Sequence, residues 1–435
     1  MRKIIVVLSL SVCINAEARE FQPIGFESIG MGGAGVASAQ GSMAGYYNPA
    51  LLTKSTYATE LALSAGVGVR EYNLANNLDQ LNKADFTGSL VRVANNAPTI
   101  LNPSPPPNTQ TDRNALTTSQ TILSGMSGGK NGLSLMPTAA FGMQVKRFGA
   151  GVYGTSDATA TAVVDGNHLA LSVKNGSQYY NYNPVTDTYS TTTQASYEAS
   201  SLEYAVNNKL TYVRLNGLTL LEVPLSYGLP LDLPAGKLGL GASLKYMKGT
   251  TYNARIDVDT SSGNIDNQLN NIEKTDSALG VDLGVLFTPA AFNYLTFGLV
   301  GKNLNSPNFE TVVAGEAFKV APQFRAGLDV ALNTKLNLAL DLDLTSNKTF
   351  ITDLDTRYLG GGFNFHPASW FSMRLGAMQN LDSNNEGTVL TGGLGFGLKW
   401  FQVDVAAQVS NKKGYFDGEE VPRYARANIA LVSRW

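Results

Sequence analysis

Residues 324–344 read FRAGLDVALNTKLNLALDLDL. Phe324, Ala326, Leu328, Val330 and Leu332 take every second position, and Leu336, Leu338, Leu340, Leu342 and Leu344 do so again after a polar break around Asn333 and Thr334. A period of two puts apolar side chains on one face of a strand, and a break of that length suits a tight hairpin. The second face decides the class of fold. A soluble β-sandwich covers its outer face with Lys and Glu. Here, and along the other alternating runs, that face is mostly Gly, Ser, Thr and Asn with occasional acids such as Asp329, Asp341, Asp343 and Asp404. A barrel in lipid turns apolar residues outward and small polar ones inward, and closure leaves no unpaired strand edge.

The pattern extends outward in both directions. Leu61 to Val69, Leu238 to Tyr246, Leu390 to Trp400 and Ala425 to Trp435 alternate in the same way, and the turn Pro234-Ala235-Gly236-Lys237 opens the second of these. Counted generously, about sixteen segments approach the ten residues a tilted membrane strand requires. Leu283 to Gly301 holds no charged residue, yet it alternates on both sides of Pro289 to Asn293 and reads as a hairpin, not a membrane helix. Trp370, Phe371, Trp400, Phe401, Tyr294 and Tyr358 stand at the ends of runs, where interfacial aromatic girdles lie.

Composition agrees. Of 435 residues 15% are charged and 44 are glycine, against about 25% charged in ordinary soluble domains. A net charge of −2 offers no field for a polyanion, which argues against nucleic-acid binding. Arg2 and Lys3, the apolar run Ile4 to Val12 and the small residues Ala16 and Ala18 read as a secretory signal over residues 1–18, cleaved after Ala18. The rival, a lipoprotein signal at Leu10-Ser11-Val12-Cys13, has a bulky Val12 where a small residue is wanted. Cys13 is the only cysteine, so the exported chain has no disulfide framework and no thiolate site.

Several segments do not alternate. Leu74, Leu78 and Leu81 within Asn73 to Asp85 have helical spacing and suggest a short amphipathic helix at the barrel mouth. Asn95 to Lys130, with Pro103, Pro105, Pro106 and Pro107, reads as an irregular loop, residues 174–200 as a long hairpin tip, and residues 259–276 as a polar excursion. Two literal motifs are weighed and set aside. Gly30-Met31-Gly32-Gly33-Ala34-Gly35 fits a dinucleotide fingerprint, but Asn48-Pro49 soon follows and breaks the helix that motif needs. Gly125-Met126-Ser127-Gly128-Gly129 fits a serine-nucleophile elbow but lies in a loop, and His168 and His366 have no evident acidic neighbour. No metal or cofactor is expected; Asp353-Leu354-Asp355 reads as a solvated turn.

Gly25 to Leu52 remains: small residues, few charges, then Tyr46-Tyr47-Asn48-Pro49-Ala50. This resembles the N-terminal region of FadL-type outer-membrane channels for hydrophobic compounds, in which a plug rich in serine and glycine precedes an Asn-Pro-Ala element and the first barrel strand. It resembles more strongly still a FadL-like set labelled conjugal transfer TraF-like. That similarity covers Ser28 to Ala37, Val223-Pro224-Leu225-Ser226-Tyr227 and Gly298 to Pro307. The resemblance implies a plug in which Gly30, Gly32, Gly33 and Gly35 allow tight folding, with Tyr47, Asn48, Pro49 and Ala50 forming the turn into the wall. It also implies a ligand that leaves sideways through a gap, for which Pro224, Pro230 and Pro234 are candidates because they donate no ladder hydrogen bond; the alternative, which fits such prolines better, is that they mark ordinary strand ends. Ile429, Leu431 and Trp435 resemble the C-terminal signal read by barrel assembly machinery, with Ser433 a departure from it.

The expectation is a monomeric, antiparallel transmembrane β-barrel of about fourteen strands: signal peptide 1–18, plug 19–54 and barrel 55–435, with long loops near 73–135, 174–200 and 259–276. Its expected role in the outer membrane is passive passage of small hydrophobic molecules of fatty-acid or aromatic type, with membrane lipid around it. The alternative is a structural component of a conjugation or secretion apparatus. An enzyme is not expected.

Overall fold

The structure is a computed structural model and describes residues 19–54, 58–129, 131–257, 272–398 and 400–435. The signal-peptide and lipobox readings, and most of the excursion at 259–276, lie outside the described residues. Fourteen strands close into one antiparallel barrel. They are β1 (Thr59–Tyr72), β2 (Gly132–Val145), β3 (Phe148–Val163), β4 (Tyr212–Leu233) and β5 (Gly236–Asp257). Next come β6 (Glu273–Pro289), β7 (Leu295–Lys302), β8 (Gln323–Asn333), β9 (Leu336–Asp343) and β10 (Tyr358–Ala368). The last four are β11 (Phe371–Asn380), β12 (Thr388–Leu398), β13 (Phe401–Ser410) and β14 (Tyr424–Arg434). Each strand pairs with the next in sequence, and β14 returns to β1 with Leu63 opposite Leu431.

The hairpin of the opening stretch forms as expected, with Asn333 opposite Leu336 and a bulge at Ala331. Alternation becomes burial. On β1, Leu63 is 55% exposed and Ala62 only 2%. On the outer face an exposed Leu, Val or Phe meets lipid, so its exposure costs nothing there; in water it would. Trp370, Trp400, Phe401 and Tyr294 are exposed at the tight-turn end, where the girdle was expected. Tyr358 is not part of it: buried, its hydroxyl donates to Glu386 inside the barrel at 2.8 Å. No described helix is long and apolar enough to cross a membrane.

The other end carries the long loops. Two one-turn helices, α1 (Glu27–Gly30) and α2 (Ala44–Tyr47), precede the first strand, and helix α3 (Leu74–Lys83) matches the predicted spacing. The segment from Asn95 to Lys130 is not an irregular loop throughout: it contains a 17-residue helix, Gln110–Met126, and α4 (Phe86–Asn95) precedes it. We label that longer helix α5. Thr109 caps α5, its hydroxyl accepting from the Asp112 amide at 3.1 Å, and Leu116, Ser119, Leu123 and Met126 form its buried stripe. Thr and Ser elsewhere in the helix hide that stripe in the sequence. Residues 174–200 hold more than a hairpin tip: three short strands, Ser172–Asn175, Gln178–Asn183 and Thr188–Thr191, and then a helix, Gln194–Ser200.

Candidate functional site: the barrel lumen and its mouth

Residues 19–54 lie inside the barrel, and all but Glu27, Gln40, Thr53 and Lys54 are buried. At Gly32 (φ +66°) and Gly33 (φ +80°) the chain takes left-handed geometry that other residues adopt only with strain. The bend is tied to the wall. Gly32 N donates to Thr391 Oγ1 at 2.9 Å, while Gly35 N and Val36 N both donate to Asp341 Oδ2, at 2.8 and 2.9 Å. Gly30 sits against Arg374 and Gly393, and a Cβ at Gly35 would meet the Tyr47 ring at 2.5 Å. Asn48 Nδ2 donates to Val36 O at 3.0 Å, and Ala50 N donates to Asn48 Oδ1 at 3.0 Å, which sets the turn through Pro49. The eight residues named from sequence therefore form one continuous construction within the lumen.

The wall is shaped to receive it. Gly228, Gly241 and Gly284 stand directly opposite one another across β4, β5 and β6. A Cβ at Gly241 would overlap Pro49 and Ala50, one at Gly284 would overlap Asn48 Oδ1, and one at Gly228 would reach Leu52 Cβ at 3.0 Å. Two shorter rows repeat the device. Gly298 and Gly327, paired across β7 and β8, cradle Val36. Gly362 and Gly376, paired across β10 and β11, cradle Met31.

Charge holds the other end of the segment. Glu20 receives Arg70 in bidentate fashion at 2.7 and 2.8 Å, and Arg70 also donates to Glu386 at 2.5 Å and Tyr358 at 3.0 Å. Arg19 donates to Thr155 Oγ1 at 3.0 Å. Phe21 lies between two cations, with Lys302 at 4.9 Å and Arg325 at 4.3 Å from its ring, and Lys302 also covers Tyr46 at 3.6 Å. A small cavity of about 30 Å³ lies beside Phe21 and Tyr46. Sequence reasoning missed these luminal cations. Their signal was parity: Arg325 falls on the Gly327 and Asp329 face of the opening stretch.

At the mouth, α3, α4 and α5 and the upper ends of β3 and β4 enclose a mainly apolar groove of about 220 Å³, lined by Leu78, Leu81, Phe86, Leu123 and Met126, with Asn82, Asp85 and Thr87 on its polar side. Arg92 clamps α4 to α5 through Asp112, with Nε at 2.8 Å and Nη2 at 2.7 Å. Burial pushes the Asp112 carboxyl up, but hydrogen bonds from Arg92, Thr109 and Ser89 outweigh this and hold it below the usual carboxylate range.

The remaining candidates fall elsewhere. Ile429, Leu431 and Trp435 are exposed on the outer face, and Trp435 closes the seam, its amide donating to Thr59 O at 2.9 Å. Ser433 donates to Trp400 O at 2.7 Å, which gives that position a use of its own. Pro224 and Pro230 lie within β4, and the β4–β5 ladder runs past both without a shift; Pro234 is in the turn. On the other side, the β3–β4 ladder passes from Ala150–Leu225 to Tyr153–Glu222, omitting two pairs at Pro224 and keeping its register. The β2–β3 ladder omits two pairs at Pro137 in the same way. His168 does have an acidic partner, Asp165, at 2.9 Å; its other ring nitrogen faces Glu198 O at 2.9 Å, and Ser127 Oγ donates to Ser124 O at 2.8 Å. That histidine is thus committed on both sides, and Ser127 to its own helix end.

A closed membrane barrel filled by its own N-terminal segment is the class these features define. Within that class, residues 45–343 match the family model described as the F plasmid transfer operon, TraF, protein, and the chain belongs to that family. Among solved structures it is similar to the toluene transporter TbuX of Ralstonia pickettii, with 15% identity, TM-score 0.46 and coverage of 97% of this chain and 99% of that one. It is similar to the toluene transporter TodX of Pseudomonas putida at 11% identity and TM-score 0.47, covering 96% and 98% of the two chains. A FadL homologue of Pseudomonas aeruginosa follows at 10% identity and TM-score 0.42, covering 95% and 99%. No curated protein matches by sequence.

Proposed function

We propose that the chain is a monomeric outer-membrane channel for passive passage of small hydrophobic molecules, with residues 19–54 as its plug. The observation that carries this reading is the pairing of a filled bore with an apolar groove at its mouth. A water-filled porin needs an open polar lumen. Here ions meet Phe21, Tyr46 and a bore filled by residues 19–54, whereas an apolar solute finds a binding place among α3, α4 and α5. Such a solute gains about 25 cal/mol for each Å² of apolar surface it buries. The ladder lapses at Pro137 and Pro224 flank β3 and are where a ligand would leave sideways into lipid.

Reconstituted in liposomes, the protein is expected to speed uptake of a monoaromatic hydrocarbon such as toluene, and Leu123→Asp to cut that uptake several-fold by placing a charge in the groove. Uptake equal to that of protein-free liposomes contradicts the proposal. The family description favours a second reading, a structural component of a conjugal transfer apparatus. A stable complex with transfer proteins, together with absent uptake, would establish it.

Export by a signal peptide and delivery to the barrel assembly machinery complete the proposal. Ile429, Leu431 and Trp435 present the apolar and aromatic face that machinery would read. Trp435→Ser is expected to lower the amount of assembled barrel in outer-membrane fractions at unchanged synthesis; unchanged assembly would remove the signal from the account.

A further inference from the structure

Beside the mouth groove, a second cleft of about 490 Å³ opens between the upper ends of β4 and β5 and the loops that follow β7 and β9. Arg214 and Arg255 stand directly opposite each other in the β4–β5 ladder, and both line this cleft. Like charges facing across an antiparallel pair repel and are destabilising. Their local partners balance them only in part. Arg255 donates to Asp257 Oδ1 at 2.8 Å, but the same carboxylate also takes Lys209 at 2.8 Å. Arg214 donates to the Tyr212 hydroxyl at 2.9 Å, and among the described residues no carboxylate pairs with it. The Arg255 guanidinium also sits over the Tyr212 ring, 3.9 Å from its centre.

The opposite wall is aromatic. Phe318 and Phe350 stack at 5.4 Å and 28° and line the same cleft. Below them the lumen is apolar, with Leu218, Phe309 and Val320 buried in one cluster. One wall thus offers planar cationic donors, and the other offers ring faces above an apolar floor. Guanidinium forks bind carboxylates bidentately, and stacked rings favour a planar guest.

We propose that this cleft is a recognition site for planar aromatic carboxylates, the carboxylate bridging Arg214 and Arg255 and the ring lying against Phe318 and Phe350. The proposal rests on the channel reading and extends it, adding a charged class of solute to the neutral one. Glu316 stands at the rim and sharpens the test, because a carboxylate there opposes an anion and assists a cation.

The probe is 2-naphthoate with its neutral counterpart 2-naphthamide, their binding to the purified full-length barrel in detergent followed by probe fluorescence. Naphthoate is expected to bind at least about tenfold more tightly than naphthamide, a difference of about 1.4 kcal/mol. Arg214→Gln is expected to abolish that preference, and Glu316→Gln to strengthen it. Equal affinity for the two probes, an unchanged ratio in Arg214→Gln, or weaker naphthoate binding in Glu316→Gln overturns the proposal. Toluene uptake into liposomes is measured on the same preparations. Uptake without naphthoate preference removes this inference and leaves the channel reading, whereas preference without uptake does the reverse.

Discussion

Gly241→Val is expected to turn a closed barrel into a conducting one. The first atom of the new side chain would occupy the place of the Pro49–Ala50 peptide, and that backbone has nowhere to retreat, because Gly228 and Gly284 on either side are already in close approach to Leu52 and Asn48. Overpacking a filled site typically costs about 1–3 kcal/mol, more where the displaced atoms are backbone. The wall itself has no reason to fail, since valine suits a strand. The strain is therefore relieved by release of the plug. In planar bilayers the wild-type barrel is expected to pass little current and Gly241→Val to show frequent open steps, with both proteins equally well assembled. A correctly assembled variant that stays closed would show that the glycine row does not seat the plug.

The second large effect is expected at Arg70. This side chain is fully buried and holds Glu20 of the N-terminal segment, Glu386 of the β11–β12 loop and the Tyr358 hydroxyl at once. Arg70→Ala leaves two buried carboxylates without their cation, and removing one partner from such a cluster costs about 3–5 kcal/mol. Glu20→Gln should cost less, because the cation keeps Glu386 and an amide oxygen still accepts. The temperature at which the folded barrel converts to its unfolded gel form should fall clearly in Arg70→Ala and only slightly in Glu20→Gln. Equal temperatures for Arg70→Ala and the wild type would mean that water, not the ion cluster, satisfies these groups.

Much of this architecture was legible one strand at a time. The alternation in residues 324–344 and the uncharged run from Leu283 to Gly301 contain their own hairpins, because a period of two is local information. What escaped depends on pairing between distant residues. Gly228, Gly241 and Gly284 look like scattered small residues until the register sets them side by side and shows that together they form a groove for Pro49 to Leu52. The same is true of charge: Arg70 acquires its meaning from Glu20 and Glu386, 50 and 316 residues away. Tyr358 misled for a related reason, since a tyrosine at a strand end suits both a lipid interface and a luminal hydrogen bond, and only its facing decides between them. Helix α5 was hidden by composition, its apolar stripe diluted by Thr and Ser on the faces turned to solvent.

Among the proposed site residues, the plug glycines and the Asn48-Pro49-Ala50 turn were visible because unusual backbone demands unusual residues. The mouth groove and the Arg214–Arg255 cleft were not, because each is assembled from segments that only the closed barrel brings together.

The account stands on a membrane-spanning barrel, and the most direct measurement of that is gel migration of the protein from fractionated cells, with and without heating. The expected result is recovery in the outer-membrane fraction, with a compact, fast-migrating form that shifts to the full 46.3 kDa position, less any cleaved leader, only after boiling. Recovery in the soluble periplasm, with migration indifferent to heat, would contradict it.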